Sequence, residues 1–144
     1  MINMAVQIDS LTRQLKDQNF AGVLQAVMAV PELQKSDDLK LLELIARIKS
    51  DQSSPMVEHY LSESAGWTYQ HPEQLIAERA FLHLLHNEGA PAIRLYSQIK
   101  EAELSGLDFN RLGNAFLMVS DFDQALRCYD RAIELEPDEP SHLN

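Results

Sequence analysis

Two histidines near a carboxylate are the first candidates for chemistry in this sequence. His83 and His86 lie three residues apart, and Glu88 follows closely. Histidine and carboxylate side chains bind zinc, and residues three apart on a helix share a face. A stable site needs a third well-placed ligand, and Glu88 is the only nearby candidate. We therefore expect one histidine at the edge of the core, one at the surface, and no metal.

Cys128 is the second candidate, because Arg127 and Arg131 lie near it in the sequence. Nearby cations lower the pKa of a thiol and make it more reactive. The position of Cys128 within an apolar pattern predicts instead an ordinary interface or surface residue. It is the only cysteine of the chain, which excludes an internal disulfide and is compatible with a reducing compartment.

Acidic pairs are the third candidate. Glu101 and Glu103, and likewise Asp121 and Asp123, lie two residues apart. On a helix this spacing directs the side chains to different faces, so we expect solvated charges. The sequence has no glycine-rich phosphate loop and no G-x-S-x-G turn. It therefore predicts no enzyme activity and no cofactor for this chain.

The elements that carry these residues are helices, and the clearest pattern lies in residues 106–139. Small and aromatic residues recur there at helical spacing. The informative positions are Phe109, Leu112, Gly113, Phe116, Phe122, Ala125, Tyr129, Ala132 and Pro137. They predict one helix–turn–helix hairpin, which cannot bury its own apolar face without stacked neighbours.

Weaker copies of this pattern extend upstream at a spacing of about 34 residues. The second helices repeat the pair Ala125/Tyr129 as Ala92/Tyr96, Val57/Leu61 and Val23/Val27. The first helices give the series Thr12, Ala46, Ala80 and Gly113, with offsets of 34, 34 and 33. Two interleaved series with one period indicate four hairpins of similar length.

The motif and its period resemble the tetratricopeptide repeat family, closely over residues 106–139 and loosely over all 144 residues. The resemblance implies an all-α fold, an α-α superhelix of about four hairpins and roughly eight helices. It predicts a single domain, residues 1–144, with hairpins at about 5–35, 36–66, 72–105 and 106–139.

Local signals place several helix ends. Ser36 is a plausible N-cap, and Pro55, Pro72 and Pro91 are each expected to open a helix. Gly66 is expected to end the fourth helix. In the irregular stretch that follows, Trp67 and Tyr69 are predicted to cover an apolar gap between hairpins rather than to hold a ligand.

The resemblance also implies a function and a site. In the family, the first helix of each hairpin lines a concave groove, and an asparagine after the small glycine contacts a bound peptide. Here that residue is Asn114, with Asn110, Leu117 and Met118 on neighbouring turns. The alternative for the asparagines is a bond between helices. Subtracting the repeat offset adds Phe81, Arg47 and Arg13 to the predicted groove.

Composition limits the partners. The formal net charge is −10, and the last 72 residues hold 13 acidic and six basic residues. Nucleic acids and anionic membranes are therefore poor partners, since both require basic surfaces. The N-terminal residues lack a signal-peptide pattern, and no apolar run reaches the length of a spanning helix. The cytoplasm is the default location.

Three hypotheses remain. The first is a scaffold that binds a peptide or protein segment in the concave groove. The second is an accessory arm of a larger enzyme, for example a transferase, with its catalytic domain beyond residue 144. The third is a homo-oligomer formed through terminal repeat faces. Because no capping helix is evident after Pro137, we expect the chain to be a piece of a longer protein.

Overall fold

A computed structural model describes residues 4–50 and 55–136. These ranges contain eight α-helices and no β-strand. The helices are α1 (Met4–Lys16), α2 (Phe20–Met28), α3 (Asp37–Lys49), α4 (Pro55–Glu63), α5 (Ile76–Leu85), α6 (Gly89–Tyr96), α7 (Gly106–Met118) and α8 (Phe122–Leu135). Consecutive helices pair as hairpins, which confirms the predicted all-α fold of tetratricopeptide type.

The chain divides into two compact units, Met1–Glu78 and Arg79–Asn144, with the boundary inside α5. The first unit holds the hairpins α1–α2 and α3–α4, and the second holds α6, α7 and α8 with most of α5. The single domain predicted over residues 1–144 stays a prediction.

Three of the hairpin turns have the same geometry. Each contains one residue with a left-handed backbone, at Gln18 (φ 63°), Asn87 (φ 59°) and Ser120 (φ 63°). The next residue donates its backbone N–H to the carbonyl five positions earlier, over 2.8 to 2.9 Å. These bonds satisfy carbonyls that a helix end would leave without partners. The matching turn of α3–α4 includes residues 51–54, which lie outside the described residues.

Two of the three connections between hairpins share one pattern. A short 3-10 turn, Glu32–Gln34 or Glu101–Glu103, precedes one extended residue, and then a serine caps the next helix. Ser36 Oγ accepts the N–H of Leu39 over 3.2 Å, and Ser105 caps α7 in the same way. The predicted N-cap at Ser36 is confirmed.

Other helix ends differ from the predictions. Pro72 opens a 3-10 turn, Pro72–Gln74, and α5 begins only at Ile76. Pro91 is the third residue of α6, where its missing N–H breaks no intrahelical bond. The fourth helix ends at Glu63 rather than at Gly66, because its last turn tightens into the 3-10 turn Ser64–Gly66.

Equivalent positions of the four hairpins can be assigned from turns, caps and burial. Each hairpin contributes one residue from its first helix and one from its second, always 16 positions apart: Leu11/Val27, Leu44/Tyr60, Ala80/Tyr96 and Gly113/Tyr129. Successive pairs are separated by 33, 36 and 33 residues. The predicted series was therefore correct in hairpins three and four and in the second helix of hairpin one. The other predicted positions are shifted. Thr12 is one position after Leu11, and Ala46 is two after Leu44. The predicted pair Val57/Leu61 lies one position after the equivalent pair, Met56/Tyr60.

The three additional residues fall in the linker before α5, and two carboxylates hold that linker in the first unit. Asp38, which is buried, accepts the backbone N–H groups of Gln70 and His71 over 2.8 and 2.9 Å. Asp37 accepts the N–H of Thr68 over 2.8 Å. Trp67 lies edge-on to Tyr60, with ring centroids 5.6 Å apart.

Candidate protein-interaction surface

The candidate surface lies on α7, and the start of this helix is fixed by a capping box. Ser105 Oγ accepts the N–H of Asp108 over 3.1 Å, and the Asp108 carboxylate accepts the N–H of Ser105 over 3.0 Å. Both groups would otherwise lack partners at the helix terminus. The cap therefore sets which residues of α7 face α8 and which face away.

A close contact between α7 and α8 fixes the hairpin. A Cβ atom on Gly113 would lie 2.8 Å from Cε1 of Tyr129, so no larger residue fits without a shift. Ala125 and Ala132 of α8 are buried as well, and small side chains allow two helices to approach. This packing places the Tyr129 ring across Gly113.

The predicted residues of α7 occupy one side of the helix. Asn110, Asn114 and Leu117 follow a four-then-three spacing, so they share a face, and Met118 lies beside them. Asn110 is partly buried, whereas Asn114 is exposed, and Leu117 and Met118 are 44% and 42% exposed. We call these four residues the α7 face. It combines two amides with two accessible apolar side chains.

Tyr129 links the α7 face to α8, so the alternative stated for the asparagines, a bond between helices, is observed for Asn114. Sequence reasoning did not identify Tyr129 as the partner. Its hydroxyl donates a hydrogen bond to Oδ1 of Asn114. Burial raises the pKa of Tyr129, and the neighbouring Cys128 adds to the shift, so the hydroxyl keeps its proton. With its oxygen occupied, Asn114 retains its NH₂ group as a donor. The position of Tyr129 after Gly113 in the repeat was the available signal.

The second unit holds one more predicted residue, Phe81. It is partly buried, and the Arg111 guanidinium of α7 lies 4.1 Å from its ring centroid. This distance is typical of a cation–π contact, so one ring face is already covered from within the unit.

Arg13 and Arg47 lie in the first unit, and each pairs with a carboxylate one turn earlier. Arg13 bonds to Asp9, and Arg47 Nε lies 2.9 Å from Oε2 of Glu43. Because the repeats are 33, 36 and 33 residues apart, the residues of the first unit equivalent to Asn114 are Ile45 and Thr12. A partner contact by either arginine stays a prediction.

Two of the three chemical candidates, the histidines and the cysteine, resolve differently. His83 Nδ1 lies 2.9 Å from Oε1 of Glu88, and within residues 4–50 and 55–136 no group of three potential ligands is placed to hold a metal ion. Cys128 is buried, and this burial, with a smaller contribution from Glu101, raises its pKa to about 11. The burial of Cys128 agrees with the favoured prediction of an ordinary interface residue, and its raised pKa contradicts the alternative, a thiol activated by Arg127 and Arg131.

Comparison with known proteins supports the hairpin assignment. Residues 109–139 match the family model for the tetratricopeptide repeat, which covers most of α7 and all of α8. No curated protein and no solved structure matches the chain significantly. None of the helices described is long and apolar enough to cross a membrane.

Proposed function

We propose that this chain is a protein-interaction scaffold, and that the α7 face binds a peptide or protein segment. The observation that supports this most directly is the hydrogen bond from Tyr129 to Asn114. It holds an exposed amide in one orientation without using its donors. A group oriented before binding loses less conformational freedom when the partner arrives.

The chemistry of the α7 face suits a polypeptide partner. Side-chain amides donate to and accept from backbone amides, so Asn110 and Asn114 match an extended or turning main chain. Leu117 and Met118 offer apolar area to one side chain of the partner, and methionine adapts to different shapes. The net charge of −10 disfavours nucleic acid.

The role we propose is non-catalytic and needs no cofactor, and we place the chain in the cytoplasm. The tetratricopeptide match supports an interaction role, because stacked hairpins present extended binding surfaces. The residues with reactive side chains are engaged elsewhere: Cys128 is buried, and His83 contacts Glu88.

The test uses peptides selected on the 144-residue chain from a random library, with affinities measured by fluorescence anisotropy. Asn110→Ala with Asn114→Ala should weaken binding by about tenfold or more, because one or two hydrogen bonds are worth about 0.5–1.5 kcal/mol each. Tyr129→Phe keeps the ring against Gly113 but removes the hydroxyl, and should weaken binding a few-fold.

The matched control is Gln98→Ala, an exposed amide that follows α6. It should leave affinity unchanged. Circular dichroism should show the same helix content in all variants. Equal binding by wild type and the double asparagine variant would show that the α7 face is not the binding surface.

A further inference from the structure

The linker between α4 and α5 is held to the start of α3 through its main chain. Thr68 donates its backbone N–H to Oδ2 of Asp37 over 2.8 Å. Gln70 and His71 donate theirs to the two carboxylate oxygens of Asp38, over 2.8 and 2.9 Å. The donors belong to a stretch without helix or strand structure, so the linker is bound much as a peptide ligand would be.

We call residues 67–74 the strap, and both of its ends are anchored in the first unit. The Trp67 ring lies edge-on to Tyr60 of α4, with ring centroids 5.6 Å apart. At the other end, the 3-10 turn Pro72–Gln74 contacts α1, and the next residue, Leu75, is fully buried. The strap therefore runs from α4 past the start of α3 to α1.

The two carboxylates are not a general requirement of the hairpin. Counting from the capping serine, Gly106 and Leu107 of α7 stand at the positions of Asp37 and Asp38. A buried carboxylate is costly unless it is hydrogen-bonded, and the strap supplies two bonds to Asp38, which is 0% exposed. Both carboxylates lie in the first turn of α3, which Ser36 caps. The acceptors are therefore positioned by the helix rather than by the strap.

The contact recognises main chain rather than particular side chains. Thr68 and Gln70 are exposed, although their N–H groups are bonded to the carboxylates. Every residue except proline has a backbone N–H. Another extended segment with N–H groups at the same spacing can therefore make the same three bonds, and an aromatic residue ahead of them can pack on Tyr60.

We propose that the strap is a displaceable internal ligand, and that its displacement opens a second binding site in the first unit. The partner is an extended segment with an aromatic residue followed by non-proline residues at the positions of Thr68, Gln70 and His71. Asp37 and Asp38 accept its N–H groups in place of those of the strap. Because the strap is joined to the site, it competes at high effective concentration and lowers the apparent affinity of the partner.

Hydrogen exchange measured by NMR tests the opening. In wild type, the bonded amides of the strap should exchange through a local opening, about tenfold or more faster than the interior amides of α3. Asp38→Asn keeps the shape of the side chain but removes its charge and one acceptor, and should speed exchange of Gln70 and His71 by about tenfold or more. Asp123→Asn is the matched control, because Asp123 is also the second residue of its helix but is exposed. It should leave the strap unchanged.

A fluorescent peptide with the sequence of residues 66–75 tests the site itself, by anisotropy titration with the full chain. Trp67→Gly with Gln70→Pro weakens the strap by removing its aromatic anchor and one donor. This variant should bind the peptide about tenfold or more tighter than wild type, because the competitor is weakened. Adding Asp38→Asn should reverse the gain. A control peptide with proline at the position of Gln70 lacks that N–H and should bind about tenfold more weakly.

Four results would overturn the inference. The wild-type strap could exchange only when the first unit unfolds, which would make it a fixed part of the fold. The weakened variant could bind the peptide no better than wild type, which would show that the strap blocks no site. The proline peptide could bind as well as the native one, which would remove main-chain recognition.

The fourth result separates this site from the α7 face. Asn110→Ala with Asn114→Ala, added to the weakened variant, should leave binding of the peptide unchanged, whereas a loss would place the peptide on the α7 face. Circular dichroism checks the helix content of each variant. If the weakened variant loses helix content, exchange of the wild-type strap decides the question by itself.

Discussion

The connections between hairpins have the same backbone in the two units and different chemistry. Counting from the capping serine, Lys35 corresponds to Leu104, Glu43 to Leu112, and Tyr60 to Tyr129. The first two positions carry charged side chains in the first unit and leucines in the second, and the third is a tyrosine in both. The comparison shows that this hairpin scaffold does not require one kind of core.

The charged positions of the first unit form a buried network. Glu43, only 1% exposed, bonds to Lys35 over 2.7 Å and to Arg47 over 2.9 Å. The Tyr60 hydroxyl donates to Oε1 of Glu32 over 2.7 Å. Buried charges are stable only when they are paired and hydrogen-bonded, and here each has a partner.

The network determines what the tyrosine can do. In the first unit the Tyr60 hydroxyl donates to Glu32, which is exposed, and lies 3.5 Å from Oε1 of the buried Glu43. In the second unit leucines occupy the matching interior, and the Tyr129 hydroxyl bonds instead to the exposed Asn114. An apolar connection thus leaves the tyrosine available to the α7 face, which is why we place the binding surface there.

The largest effect should come from Glu43→Ala. It leaves Arg47 without its carboxylate and Lys35 with only Glu32, and breaking such a buried pair costs about 3–5 kcal/mol. Urea unfolding followed by the fluorescence of Trp67, the only tryptophan, reports on the first unit.

The matched rescue gives the first unit the residues of the second. Lys35→Leu with Glu43→Leu reproduces Leu104 and Leu112 and should recover most of the loss, because apolar replacement of a buried pair is often neutral or stabilising. A double variant as unstable as Glu43→Ala would show that the two connections are not interchangeable.

Leu44 and Gly113 occupy equivalent positions. A smaller residue at Leu44 and a larger residue at Gly113 should each lower the free energy of unfolding. Leu44→Ala leaves a cavity in the first unit and should cost about 2–5 kcal/mol. Gly113→Ala places a Cβ atom 2.8 Å from the Tyr129 ring and should cost about 1–3 kcal/mol, reduced by the better helix propensity of alanine. Thermal unfolding by circular dichroism measures both. Stabilisation by Gly113→Ala would show that the ring moves aside freely.

Sequence reasoning reached the helices and the hairpins because their signals are local and repeated. The sequence predicted Ser36 as a helix N-cap, which is confirmed. It also placed the equivalents of Ala125/Tyr129 correctly, at Ala92/Tyr96 and Val23/Val27. The register failed where three residues enter the linker before α5. A uniform period of about 34 residues spreads such an insertion over the whole chain. The predicted partner contacts of Arg13 and Arg47 rest on that period, and they stay predictions.

The network and the partner of Asn114 were not identified from the sequence for a different reason. A charged residue is normally exposed, so nothing local marks the side chains of Lys35 and Glu43 as buried. Likewise, a tyrosine in a hairpin predicts packing, whereas the partner of its hydroxyl depends on which side chains the fold brings within reach.

Acid should weaken the first unit through Glu32. Hydrogen bonds from Lys35, first, and from Tyr60 lower the pKa of Glu32 in the fold below its usual 4.5. The unfolded chain therefore binds a proton more readily, and this stabilisation is present above pH 4.5 and lost as pH falls through the lowered pKa. Glu32→Gln should flatten the acid limb of stability measured by Trp67 fluorescence. Glu101→Gln, at the equivalent exposed position of the second unit, should not.

The same network predicts that the first unit loses stability at alkaline pH. Burial raises the pKa of Tyr60, and the bond to Glu32 adds to this. For Lys35, burial lowers the pKa, but hydrogen bonds to Glu32 and Glu43 outweigh it, so the net shift is upward. Stabilisation from raised pKa values is present below pH 10 and lost as pH rises through them. The Lys35→Leu, Glu43→Leu variant should lose less stability above pH 10 than wild type.

The smallest effect concerns the hairpin turns, where different residues adopt one backbone geometry, two of them within the second unit. Ser120 has φ 63° and Asn87 has φ 59°, and asparagine tolerates this left-handed region better than serine. Ser120→Asn should therefore stabilise by about 0.5 kcal/mol, and Asn87→Ser should destabilise by a similar amount. Ser120→Gly should gain less than Ser120→Asn, because glycine also increases the freedom of the unfolded chain. Thermal unfolding of the three variants gives the order, and a gain from glycine above that from asparagine would mean that crowding around the side chain, rather than backbone strain, limits the turn.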